Sequence, residues 1–86
     1  MDTITILEER GKTHGRDSEH AAITQLTKSL WKAHPGWTRL TPSQCEALDM
    51  IAHKVGRVLA GNPHFQDHWD DIAGYAKLVA IEIAGG

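Results

Sequence analysis

A three-residue break, Gly61-Asn62-Pro63, separates two long segments of helical periodicity, and no other feature constrains this chain as tightly. Upstream of it, Thr41-Pro42-Ser43-Gln44 is a helix start. Threonine caps well, proline suits the first helical position, where no amide hydrogen is needed, and the glutamine can complete a capping box. Leu48, Ile51, Ala52, Val55, Val58 and Leu59 then recur at helical spacing, which predicts a helix over 42–60 that ends at Gly61. Downstream, Asn62 reads as a cap and Pro63 as the first residue of a helix over 63–84. Its apolar stripe is Phe65, Trp69, Ile72, Ala76, Val79 and Ile83. So short a connection makes the two helices fold back on each other as an antiparallel hairpin.

The earlier part of the chain reads less sharply. Residues 1–17 are expected to form an N-terminal arm and a basic loop. TITILEER could form a short helix or an extended arm, since Ile4, Ile6 and Leu7 do not decide the period, and GKTHGRDS is polar and punctuated by glycine. That loop carries Lys12, His14 and Arg16, and its glycines would let backbone amides approach an anion, although the P-loop spacing is absent. Ser18 can cap a helix over 18–33, with Ala22, Ile23, Leu26 and Leu30 as its apolar side, before His34-Pro35-Gly36 stops it. Trp37 and Leu40 then plug the end of the core. The expectation is one all-α domain of three main helices. A chain of 86 residues buries little as a monomer, so a dimer or higher oligomer is expected.

Composition narrows the function classes. The net charge is −2 and there is no basic tract, so there is no strong nucleic-acid signal. The lone Cys45 cannot form an internal disulfide and suits a reducing compartment. No apolar run is long enough to span a membrane, and no secretory leader is read at the start. These features together predict a soluble, cytoplasmic protein.

Three constellations could carry chemistry. The first is acidic: Glu46-x-x-Asp49 on one helix and Asp67-x-x-x-Asp71 on the next could meet across the hairpin or across a dimer and hold Mg²⁺, which prefers oxygen ligands. Asp71 lies beyond the first turn of its helix, so the helix dipole does not account for it. The second is His64, His68 and Asp71, a spacing that suits zinc but equally suits capping or pairing with the aspartates. The third is Lys54 with Arg57, one turn apart, able to grip phosphate together with Lys12 or to pair with Asp67 and Asp71. Trp69 and Tyr75 are available for stacking on a ligand or for packing. Neither Cys45 nor any serine has the local context of an activated nucleophile.

Lys54-x-x-Arg57, Gly61, Asp67-x-Trp69-x-Asp71 and Gly74-Tyr75, with Glu9-Arg10-Gly11-Lys12-Thr13-His14-Gly15 near the start, resemble a small helical family of unknown function found in tailed phages and prophages. The resemblance spans nearly the whole chain. More distantly, the paired acidic helices resemble the MazG-like all-α NTP pyrophosphatases, which are oligomers that use Mg²⁺ on acidic residues. That likeness implies metal at Glu46, Asp49, Asp67 and Asp71 and phosphate at Lys54 and Arg57. The chain departs from those enzymes in lacking their EExxE motif, for which Glu46-x-x-Asp49 is a partial substitute. The function so implied is a phage accessory protein that binds a nucleotide or phosphate-containing small molecule, with Mg²⁺-dependent pyrophosphohydrolysis as its enzymatic form. The alternative is a non-enzymatic phage protein that sequesters a host nucleotide signal or binds a host protein. In a third reading the motif only locks the hairpin through internal salt bridges.

Overall fold

The computed structural model describes residues 3–86, except for the side chains of residues 11–14. Among the described residues there are four α-helices, one 3₁₀ turn over Pro35–Arg39 and no strand. The helices are α1 (Thr3–His14), α2 (Asp17–Ala33), α3 (Pro42–Ala60) and α4 (Gln66–Ile83). None of them is long and apolar enough to cross a membrane.

Of the two forms open to residues 3–10 the helix is the one present, and it runs on through the first part of the expected loop to His14 as α1. Glu8, Glu9, Arg10 and Lys12 are good helix formers, and the single glycine inside, Gly11, costs only about 1 kcal/mol. The chain reverses later, at Gly15, whose φ of +76° lies in the left-handed region. A side chain there would run into the backbone carbonyl of Ala60, so Gly15 also lets the α1–α2 corner rest on the end of α3.

Helix α3 is the centre of the molecule, with α2 and α4 packed on either side of it. It starts with the capping box its sequence signals: Gln44 N–H donates to Thr41 Oγ1 at 3.2 Å, and Thr41 N–H donates to Gln44 Oε1 at 3.0 Å. After Gly61, Asn62 caps a turn and not a helix. Its Oδ1 accepts from His64 N–H at 2.9 Å and its carbonyl accepts from Phe65 N–H at 3.2 Å, so α4 begins only at Gln66. The two helices are antiparallel, because Pro42, Ser43 and Glu46 at the start of α3 share a groove with Leu78, Val79 and Glu82 near the end of α4. Helix α2 is antiparallel to α3 as well: Asp17 meets Arg57, and Lys32 meets Asp49.

The interior is small and polar. Among the described residues the buried apolar side chains are Ala47 and Ala52, accompanied by His20, Thr24 and His68. Gly56 is also buried, where α2 crosses closest. On α4 the inward stripe is Phe65, His68, Ile72, Tyr75 and Val79, one position round from the expected one. His68 packs edge-on against Phe65, with ring centroids 4.9 Å apart. Trp69 stays outside, 53% exposed, its indole N–H donating to the Pro63 carbonyl at 2.8 Å. Ile83, Leu26 and Leu30, all expected inside, are also exposed. Periodicity locates an apolar arc on a helix but not which part of a broad arc meets the neighbour.

Glycine substitutions test this packing. A Cβ at Gly56 would lie 2.7 Å from both His20 Cδ2 and Thr24 Oγ1, whereas one at Gly74 meets nothing within 4 Å. Gly56→Ala is therefore expected to destabilise by about 1–3 kcal/mol. Gly74→Ala should stabilise by about 1 kcal/mol through helix propensity. At roughly 4–8 °C per kcal/mol for a domain this size, thermal melts should move the two variants in opposite directions.

Candidate anion-binding site

Helical spacing puts Met50, His53, Lys54 and Arg57 along one side of α3. Arg10 from α1 and His20 from α2 complete the walls of a cavity of about 220 Å³. The His20 and His53 rings lie 5.5 Å apart and tilted by 41°. His20 Nε2–H donates to the His53 carbonyl at 2.9 Å. A carbonyl can only accept, so the neutral ring keeps its proton on Nε2 and leaves Nδ1 as an acceptor.

Arg57 and Lys54 have carboxylate neighbours at the rim. Arg57 Nη1 donates to Asp17 Oδ1 at 3.2 Å, and Lys54 Nζ lies 2.9 Å from Asp71 Oδ2. In each pair the cation is the more enclosed member: Arg57 and Lys54 are 15% and 23% exposed, against 79% for Asp17 and 47% for Asp71. Pairs whose carboxylate stands open to water gain little from the contact, because solvent screens it. An anion entering from solvent could therefore share or replace the carboxylates without dismantling the fold.

The expected basic pair, Lys54 and Arg57, thus comes together in one cavity. The side chain of Lys12, the third expected phosphate ligand, lies outside the described residues. Arg10, His20 and His53 were not anticipated. The alignment of Met50, His53 and Arg57 at helical spacing is the signal that was available for His53.

The four carboxylates expected to hold Mg²⁺ are distributed differently. Asp71 faces Lys54, and Asp49 faces Lys32 on the α2 side. The Asp49 Oδ1 atom is buried without a hydrogen bond; Lys32 Nζ, at 3.7 Å, attracts it but is too distant to donate. Glu46 lines the groove toward α4. Asp67 lies exposed in the first turn of α4. Among the described residues no three His, Cys, Asp or Glu side chains are gathered to hold a metal ion. The His64, His68 and Asp71 set is divided in the same way, with His64 exposed and His68 buried.

Tyr75 and Trp69 part company too. Tyr75 lines a second, larger groove of about 620 Å³ between the start of α3 and the end of α4, whereas Trp69 is held against the α3–α4 turn. Met50 is a wall of both the basic cavity and this groove, so the two adjoin.

His20 makes the cavity sensitive to pH. Burial lowers its pKa below the ordinary imidazole value of 6.5, and the Arg57 charge lowers it further, against the carbonyl bond that favours the charged ring. Below about pH 6.5 the unfolded chain therefore binds more protons at this residue than the folded one. The stability it leaves intact above that pH is lost as pH falls toward the depressed folded value. His20→Gln preserves an N–H donor but cannot titrate. Urea midpoints at about pH 7.5 and about pH 5 should show a smaller acid loss in this variant than in the unaltered protein.

No curated protein and no solved structure matches the chain. The match that covers it, over residues 3–83, shows that the chain belongs to the family described as a domain of unknown function, DUF6378.

Proposed function

We propose that this chain binds a nucleotide or a related phosphate-bearing small molecule, with the phosphates in the basic cavity and the organic part along the groove beyond Met50. The observation that carries this reading is the shared Met50 wall, which joins a cationic cavity to an apolar, aromatic groove. The cavity falls below the range of roughly 300–1,000 Å³ usual for a whole small ligand, while the groove falls within it. A ligand with a compact anionic end and a flat apolar body matches that division. Arg10, Lys54 and Arg57 would donate to phosphate oxygens as charge-assisted hydrogen bonds. Tyr75 offers a ring against which a base can lie, and Glu46 and Glu82 beside it can accept from hydroxyl or amino groups.

Binding without turnover is the form these residues support best. Metal-assisted hydrolysis needs carboxylates that converge on a cation, and here Asp49 and Asp71 each face a lysine. A Mg²⁺ ion would enter as the counter-ion of the ligand's phosphates and not through a cage of all four acids. Sequestering a nucleotide signal suits this arrangement, as an accessory protein of a phage would do.

A panel of nucleoside mono-, di- and triphosphates, followed by thermal melting and by product analysis, tests the proposal. Bound ligand should raise the melting temperature without releasing products. Lys54→Gln and Tyr75→Ala should each weaken the effect by about tenfold or more, the equivalent of one charge-assisted bond or one stacked base. Melting that ignores the whole panel, or a shift that persists undiminished in both variants, would sink it.

A further inference from the structure

The layer formed by α2, α3 and α4 has two unlike sides. The side that carries the Asp17–Arg57, Lys32–Asp49 and Lys54–Asp71 pairs is charged. Because the three helices run antiparallel in turn, residues half a turn from those pairs share the opposite side. On α3 these are Gln44, Leu48, Ile51, Val55 and Leu59, none of them charged. Leu48 and Ile51 line a groove there with Ala76 of α4. The same side of α4 carries Trp69 and Ile83, and that of α2 carries Leu26 and Leu30. Leu26 and Leu30 are 73% exposed and Leu59 is 66% exposed.

We propose that this apolar side is the contact surface for a second copy of the same chain, packed face to face about a two-fold axis. The inference is independent of the ligand reading, whose residues lie on the charged side. Its basis is area. The chain exposes 6018 Å², whereas a folded monomer of 9.5 kDa should expose about 5,050 Å². The excess, on the order of 1,000 Å², is close to the roughly 800 Å² that each partner contributes to a standard interface. Part of it belongs to α1, which exposes Ile4, Ile6 and Leu7. The layer itself buries few apolar side chains, Ala47 and Ala52 among the described residues. Apart from Glu19, seven residues before Leu26 at the start of α2, this face carries no charge that would need a partner opposite it, and a two-fold pairing closes without leaving a further sticky surface.

Sedimentation equilibrium on the full chain should give twice the 9.5 kDa protomer mass. The melting temperature should rise with protein concentration, since pairing stabilises the folded state by mass action. Leu26→Glu and Leu59→Glu, harmless on a free surface, should shift the mass to the protomer or abolish the concentration dependence by unfolding the chain. Gln25→Glu, away from this face, should do neither. A stable protomer whose melting is independent of concentration overturns the proposal. So does a dimer that survives both leucine substitutions.

Discussion

Where α2 crosses α3, Gly56 has no side chain to hold the helices apart, and the remainder of the structure follows from that close approach. It lets His20 and Thr24 sit directly on the α3 backbone. His20 can then reach the His53 carbonyl, and Asp17, one turn earlier, can reach Arg57. The crossing also carries a penalty. The Thr24 hydroxyl is buried without a partner, which costs about 1–3 kcal/mol in lost hydration. An apolar residue would fill the space at less cost, but His20 in its place beside Thr24 is what carries an imidazole into a cationic cavity.

Helix α3 divides the labour of the molecule along its length and around its circumference. One side presents Met50, His53, Lys54 and Arg57 to a cavity closed by α1 and α2. The adjoining strip, with Glu46 and Met50, meets α4 at the Tyr75 groove. The far side is uncharged. With principal extents of 44 × 29 × 21 Å and a radius of gyration of 14.8 Å, against about 12 Å for a compact chain of this length, the molecule is a layer and not a ball. A layer of this kind places its charged pairs and its apolar surface on opposite faces.

Much of the hairpin was legible in the residues. Thr41, Pro42 and Gln44 signal a capping box that forms, and Lys54 and Arg57 one turn apart come to share one cavity. The sequence left helix α1 undecided because its apolar residues do not repeat cleanly, and hid its length because Gly11 resembles a breaker, when the break falls at Gly15. Asn62 and Pro63 carry the signs of a helix start, but the Asn62 side chain satisfies a turn first. Trp69 falls on the apolar stripe by its spacing from Phe65 and Ile72; its indole N–H is satisfied by the Pro63 carbonyl outside the helix contact, and His68 takes the inner position. Arg10 and His20 gave no sign of their role, since each reaches the cavity from a different helix.

The sequence by itself determined the helical class, the places where α3 begins and ends, and the grouping of basic residues on α3. These are properties of spacing within a few residues, set by local hydrogen bonding and by a period of 3.6. Only the tertiary structure decided which edge of each broad apolar arc turns inward, which acid faces which base, and that Arg10, His20 and His53 share a wall. Those outcomes depend on the relative rotation of packed helices, and that rotation is fixed by close contacts such as His20 and Thr24 against Gly56, which join residues far apart in the chain.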